Sequence, residues 1–351
     1  MSSRIRIGLI AAGALVLLAL PFYVDRFWLQ AGLFAMAASI GAIGLNLLTG
    51  ATGQLSLGHA FFLAVGAYGY CALADIVPTA LAAIGAVLVA GAAGGLLSPI
   101  AGRLSGAYLG IATLALIFIG QHVLFNASDL TGGYNGRDVP ALNIFGLSFD
   151  DTETVVLAVP FESMEKLWYA GLLLLAACAL FARGVLRGRP GRAMNAIRDH
   201  RVAAGVMGVP VARLRAWVFV LSSMYAGLAG VLLALIVQRT TPEYFGFALS
   251  LEYLAMIVIG GLGSVAGAVL GAVFVSLLPQ LFDRYSESLP LVSASGTGGI
   301  APGEASSYLY GAAVVAVVLF LPGGLVRLGS AATPRALTLR KKEPTDESAP
   351  A

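Results

Sequence analysis

The residues able to handle a solute concentrate in one apolar stretch, GLNLLTGATGQLSLGHAFFLAVGAY, at 44–68. Asn46, Thr49, Gln54, Ser56 and His59 stand there beside Gly50, Gly53 and Gly58. Their chemistry is hydrogen bonding rather than bond breaking. Polar groups and glycines at membrane depth mark a helix break that lines a cavity or path. The same pattern suits a turn between two helices, with Ser56 capping the second. Glu252 is the other candidate, a few residues into FALSLEYLAMIVIGGLGSVAGAVLGAVF at 247–274. An acid at mid-membrane costs about 2.5–3.5 kcal/mol and less near the edge, so Glu252 faces a cavity or sits at the interface. A third stretch, LTGGYNGRDVP at 130–140, holds Thr131, Gly132, Gly133, Asn135 and Gly136. It reads as an external lip that meets a solute or delivery protein, or as an ordinary turn-rich loop. No catalytic set is visible. His59, His122 and His200 lie in separate segments, and Cys71 and Cys178 form no metal pattern. There is no Gly-x-x-x-x-Gly-Lys-Ser/Thr loop, so ATP-driven work would need an ATPase on another chain.

A membrane must position these residues. Of 351 residues, 58% are hydrophobic and only 11% are charged, where a soluble domain carries about 25%. The net charge of +3 does not indicate nucleic acid, because the basic residues sit in loops where orientation explains them. A span needs about 20 mostly apolar residues. Segments near 7–24, 28–48, 56–76, 79–98, 106–126, 167–186, 215–237, 247–262, 264–282 and 306–326 meet this, giving about ten helices. The segment at 247–262 is short and is cut off by Gly260, Gly261 and Gly263, so it either spans or re-enters. Gly263, Gly267 and Gly271 form a small-residue face suited to helix packing. Long runs without alternation exclude a membrane barrel. The expected fold is an all-α, polytopic transmembrane helix bundle.

Charge sets the expected orientation. Arg4 and Arg6 precede an apolar run that reads as an uncleaved first helix rather than a signal peptide. With the N-terminus inside, Arg103, the arginine-rich loop and the 327–342 region all fall inside. The loop at 126–166 falls outside, with seven acids against Arg137 and Lys166. An even helix count returns the C-terminus to the cytoplasm. Residues 1–328 then form one transmembrane domain, with an extracytoplasmic loop at 127–166 and a cytoplasmic loop at 187–214. Residues 329–351 read as a disordered cytoplasmic tail.

The inner loop, RGRPGRAMNAIRDHRVAAGVMGVPVARLR at 187–215, is too patterned for a tether. Eight arginines lie between Arg183 and Arg215, with Asp199 as the one acid. Ala193, Ala196, Ile197, Ala203, Ala204 and Met207 recur at helical spacing, which predicts a short helix with an apolar face. Such a helix suits docking of a soluble partner. The arginines could equally serve only to orient the chain and touch anionic lipid.

Several blocks carry a resemblance. GLNLLTGATGQLSLGHAFFLAVGAY, GAYLGIATLAL with TGGYNG, GRAMNAIRDHRVAAGVMGV with AGLAGVLLA, and LSLEYLAMIVIGGLGSVAGAVLGA occur in order across most of 40–285. Together they resemble the permease subunits of bacterial branched-chain amino acid ABC importers, in particular the M-type subunit of the leucine/isoleucine/valine system. The resemblance implies a multi-pass subunit of the bacterial inner membrane that is not an enzyme. It would bind no cofactor itself, with ATP and magnesium held by partners. Those partners would be a second, H-type permease, two ATPase subunits and an extracytoplasmic amino-acid-binding protein. It also implies a cytoplasmic coupling helix with an E-A-A-x-x-x-G type motif. Val202 replaces the acid, and Ala203, Ala204 and Gly208 match. Arg192, Ile197 and Arg198 match the family's Gly-Arg-x-x-x-Ala-Ile-Arg run. The implied roles are close contact with the ATPase at Ala203, Ala204 and Gly208, and pairing of Arg192 and Arg198 with its acids. Asn46, Gln54, Ser56, His59 and Glu252 become path candidates. Related permeases handle urea, short amides and aromatic acids, so the solute stays open. A stand-alone ion-coupled transporter, with Glu252 as its functional acid, is the alternative from another class.

Overall fold

The computed structural model describes residues 8, 12–13, 15–104, 106–144, 146–150, 154–156, 159–285, 302–321 and 323–326. Arg4, Arg6, residues 7, 9–11 and 14 of the first expected helix, the Ser- and Gly-rich stretch at 286–301 and the 329–351 tail lie outside these residues. The fold is an all-α helix bundle. Its principal helices are α1 (Arg26–Leu45), α2 (His59–Ala74), α3 (Thr79–Arg103), α4 (Ala107–Asn126), α5 (Ser163–Arg187), α6 (Arg189–Asp199), α7 (Arg201–Val206), α8 (Val211–Val237), α9 (Phe247–Gly260), α10 (Val265–Tyr285) and α11 (Pro302–Phe320). Among the described residues, six helical stretches are long and apolar enough to cross a membrane: 26–51, 79–103, 107–126, 163–187, 211–237 and 265–282. The apolar helices α2 and α9 are shorter.

Helix α1 is the axis of the bundle. It is apolar on every side, as a helix surrounded by other helices must be. Its glycines receive large neighbours: Gly32 abuts Trp168 of α5, Gly41 abuts Tyr253 of α9, and Gly44 abuts Tyr225 of α8. Helices α2 and α8 meet backbone to backbone. A Cβ on Gly66 would lie 2.1 Å from the Gly227 carbonyl oxygen, and one on Gly230 would lie 2.0 Å from that of Leu63. Such approach needs small residues, which is how membrane helices gain packing contacts where lipid offers no hydrophobic drive.

The two ends of the bundle differ in charge. At one end, ion pairs join Arg26 to Glu162 (3.3 Å), Arg239 to Asp138 (3.2 Å), Arg284 to Asp25 (3.8 Å), and Arg137 to Asp75. Arginines at this acidic end are thus each matched by a carboxylate. The opposite end carries α6, α7 and the arginine-rich loop. The expected 127–166 loop is more ordered than its turn-forming sequence suggests. It holds β1 (Arg137–Asp138), β2 (Asn143–Ile144), β3 (Leu147–Ser148), β4 (Thr154–Val156) and β5 (Val159–Phe161). Strand β1 pairs antiparallel with β6 (Arg239–Thr240), which follows α8, and β2–β3 and β4–β5 are local ribbons.

Candidate functional site

Helix α1 does not end in a simple cap. From Asn46 to Ala51 it widens into a π-helical turn, and such turns frequently sit at functional positions. Gly50 cannot be replaced without moving this turn, since a Cβ would lie 2.1 Å from Asn46 Oδ1 and 2.5 Å from the Gly263 nitrogen. Gly53, at φ +70°, then turns the chain. Residues 53–58 run without helix before α2 starts at His59. A second break lies opposite. Helix α9 stops at Gly260, Gly261 and Gly263 take φ of +119° and +81°, and α10 begins at Val265. The expected small-residue face closes this hairpin: Gly267 lies against the Gly260 and Gly261 carbonyls, and Gly271 against that of Met256.

One side chain locks the two breaks together. Asn46 Nδ2 donates to the Ser264 carbonyl at 2.8 Å, and its Oδ1 accepts from the Gly263 N–H at 2.8 Å. The basic loop joins the same node. Arg198 Nη1 donates to the Gly50 carbonyl at 2.9 Å, and its Nε pairs with Asp199 at 3.3 Å. Asn46 and Arg198, far apart in sequence, therefore meet at one junction of three segments. Asn46→Ala would strand a half-buried N–H and a half-buried carbonyl, each costing about 1–3 kcal/mol. A loss of about 2–4 kcal/mol is expected in denaturant unfolding of the detergent-solubilised chain. The exposed Asn195→Ala should stay within about 0.5 kcal/mol.

The other polar residues of 44–68 are buried fasteners. His59 Nε2 meets the Gly41 carbonyl at 3.0 Å, and its ring lies edge-on to Tyr253 at 5.0 Å, linking α1, α2 and α9. Gln54 Nε2 donates to Thr52 Oγ at 2.9 Å and to the Arg215 carbonyl at 3.3 Å, while its Oε1 is buried without a partner among the described residues. Ser56 is buried and accepts from the Gly58 N–H at 3.4 Å, just ahead of α2. Glu252 stands apart from them, on a cavity between α1, α9, α10 and α11 toward the acidic end.

Two helices form the basic end. Pro190 lies in the first turn of α6, where its missing N–H costs nothing. Met194 and Ile197 of α6 and Ala204 of α7 are buried against the bundle. The expected apolar stripe is therefore split. Arg192 and Ala203 are exposed, and Val202, Val206 and Met207 are 73%, 82% and 83% accessible. Gly208 ends α7 at φ +84°: its N–H reaches the Gly205 carbonyl (3.0 Å), and the Val209 N–H reaches that of Ala204 (3.0 Å). This is the left-handed cap that glycine tolerates best, and it explains a glycine at this spacing after the two alanines. Ile197, Ala204 and Arg198 thus position the loop, while Arg192, Ala203 and the tip around Gly208 remain open to a partner.

Sequence reasoning missed Arg215. It counts among the loop's orienting charges, yet it is buried and donates to the Gly102 and Leu104 carbonyls (3.2 and 2.5 Å), capping α3. A cation at a helix C-terminus is favourable, but only the fold brings α3 to it. Val206 was also missed, although its i, i+4 relation to Val202 signals a shared face.

At the acidic end, Thr131 is buried and donates to the Leu124 and Ala127 carbonyls (2.6 and 2.9 Å). Gly132, Gly133 and Gly136 have φ of +73°, +58° and +70°. The Asn135 carbonyl accepts from Arg239 Nε and Nη2 (3.1 and 3.0 Å). The TGGYNG stretch is therefore a braced lip, with Tyr134 exposed and stacked on Phe125 at 4.7 Å.

Comparison with known proteins identifies what this architecture resembles. Residues 28–318 match the family described as branched-chain amino acid transport system, permease component. The chain is 33% identical over 288 residues to the high-affinity branched-chain amino acid transport system permease protein LivM of Salmonella typhimurium, covering 78% of this chain and 67% of that one. Similarity to LivM of Escherichia coli is 33% over 292 residues, covering 78% and 68%. The corresponding LivH protein of S. typhimurium is 26% identical over 257 residues, covering 70% and 81%. No solved structure matches the chain.

Proposed function

Since the chain belongs to the permease family of branched-chain amino acid transport systems, we propose that it is the M-type subunit of an ABC importer carrying leucine, isoleucine and valine across the bacterial inner membrane. It supplies a path and a docking surface, and the ATPase activity resides on other chains. The supporting observation is the exposed apolar tip of α7, with Val202, Val206 and Met207, on the same basic end that exposes Arg192. Large apolar side chains grouped at a surface mark a partner site. The proposed partner there is one of two ATPase subunits that hold ATP and magnesium. Similarity to both LivM and LivH is consistent with a pore made by this chain and a related H-type subunit. The acidic end, with its braced TGGYNG lip, then faces outward to a solute-binding protein, and both termini lie in the cytoplasm.

In this mechanism ATPase closure pushes on α6 and α7. Arg198 carries that displacement to Gly50, and Asn46 carries it from the π-helical turn to the α9–α10 turn. Glycines at positive φ allow both breaks to re-angle. Asn46, Gln54, Ser56 and His59 keep the moving segments in register rather than selecting the solute.

The test is purification of the tagged chain from its native membrane, with Met207→Glu beside the wild type. The wild type should recover two ATPase copies and a second permease. Met207→Glu should fold normally, since its side chain is exposed, yet recover at least about tenfold less ATPase, because a charge replaces an apolar anchor in the interface. Equal recovery with unchanged uptake would remove the docking assignment. Solute uptake by the chain alone in vesicles without ATP would move the reading to an ion-coupled transporter.

A further inference from the structure

The cavity that holds Glu252 has a donor–acceptor balance that points to a ligand. Its volume is 570 Å³, within the range of small-molecule sites. Glu252 lies about 7 Å along α9 from the helix start at the acidic end, at 1.5 Å per residue. Among the described residues no cation and no hydrogen-bond donor reaches its carboxylate. An unpaired acid in a membrane bundle is costly and is retained where something neutralises it.

Further acceptors surround it. Ser276 Oγ is buried and unpartnered. Pro279, inside α10, has no N–H, so the Val275 carbonyl one turn earlier lacks its helical donor. Val275, Ser276 and Pro279 all line the cavity. The remaining walls are largely apolar and aromatic, including Phe34 and Tyr253, and carry the amides of Gln30 and Gln280, the latter donating to the Ser276 carbonyl at 2.9 Å. A carboxylate and a hydroxyl, with a helix carbonyl that lacks its i+4 donor, beside an aromatic wall match a group with several donors, one positive charge and an apolar body.

We propose that this cavity is a solute subsite that receives the primary ammonium of an aliphatic amino acid at Glu252 and Ser276, with the branched side chain against the aromatic wall. The proposal rests on the amino-acid transport reading and locates the end of the solute that the permease grips. It assigns the path to the α9–α10 face near the acidic end, away from the polar residues of 44–68. The site is weak by design, because a solute must leave it, and it discriminates by charge: a carboxylic acid of the same shape meets like charge at Glu252, where an ammonium is attracted.

The test follows thermal unfolding of the full chain in nanodiscs, titrated with 3-methylbutylamine, with 4-methylpentanoate and with sodium chloride. The amine keeps the ammonium and branched tail of leucine, and the acid keeps the tail and carboxylate. Stabilisation by the amine alone is expected. Glu252→Gln should weaken it by about tenfold or more, and Glu252→Asp should recover part of it. Ser276→Ala, a smaller change, should weaken it severalfold and serves if Glu252→Gln does not fold. Equal amine binding by the wild type and Glu252→Gln, or equal binding of the acid, would overturn the proposal, as would stabilisation by sodium alone. The readout requires no partner, so it stands or falls separately from ATPase recovery.

Discussion

Replacing Arg198 with alanine is expected to leave the transporter assembled but to uncouple it. The guanidinium joins α6 to the Gly50 carbonyl at 2.9 Å, and it is the side-chain link from that helix to the broken end of α1. Hydrogen bonds from charged groups contribute about 1.5–3 kcal/mol, which corresponds to about 10–100-fold in an equilibrium between two arrangements. The contacts that seat the loop, Met194, Ile197 and Ala204 against the bundle, are untouched by the change. ATPase recovery and ATP turnover should therefore persist while uptake falls about 10-fold or more. Lysine at this position keeps a charge and a donor but lacks the fork that spans Gly50 and Asp199, so partial uptake should return. The measurement is solute transported per ATP hydrolysed in proteoliposomes of the complete complex. An unchanged ratio in Arg198→Ala would reduce Arg198 to an orienting charge. A ratio restored by lysine would not follow from loss of fold alone.

Gly230→Val should have the largest effect on stability. Its Cβ would lie 2.0 Å from the Leu63 carbonyl oxygen and 2.7 Å from the carbonyl carbon, both backbone atoms of a neighbouring helix. A flexible side chain could turn away, but backbone cannot, so α2 and α8 must separate. The same contact is repeated at Gly66 against Gly227, so separation would break the face along its length. Overpacking of this kind exceeds the ordinary 1–3 kcal/mol, and a loss of about 4 kcal/mol or more is expected, with little folded protein recovered. Gly95→Ala, in α3 with nothing within 4 Å of the added Cβ, is the control. It should be neutral or stabilising by about 0.5–1 kcal/mol, since alanine favours helix over glycine. Size-exclusion profile and thermal midpoint in detergent read both. Equal behaviour of the two variants would show that the α2–α8 approach is looser than described.

Much of the fold is legible in the amino-acid sequence. An 11% share of charged residues and apolar runs near 20 residues admit only a membrane-spanning helical protein, because lipid leaves backbone groups no outside partner. The period of 193–207 predicts helix in the basic loop, and the structure forms α6 and α7 there. The glycines at 260–263 signal a break, and Gly263, Gly267 and Gly271 a packing face, since both properties follow from the lack of a side chain. The candidate site is legible only as a set of residue types. Asn46, Gln54, Ser56 and His59 look alike as polar intrusions, because sequence records a hydrogen-bonding group but not what lies opposite it. Tertiary structure decides that Asn46 faces Gly263 and Ser264, that Arg198 faces Gly50, and that Arg215 caps α3. It also decides which side of the basic loop is open: Ile197 and Ala204 point in, and Val202, Val206 and Met207 point out. Local pattern determines which elements form, because periodicity and backbone preference act within one or two turns. The partners of each polar group depend on helices brought together over more than a hundred residues, and that information exists only once the bundle has packed.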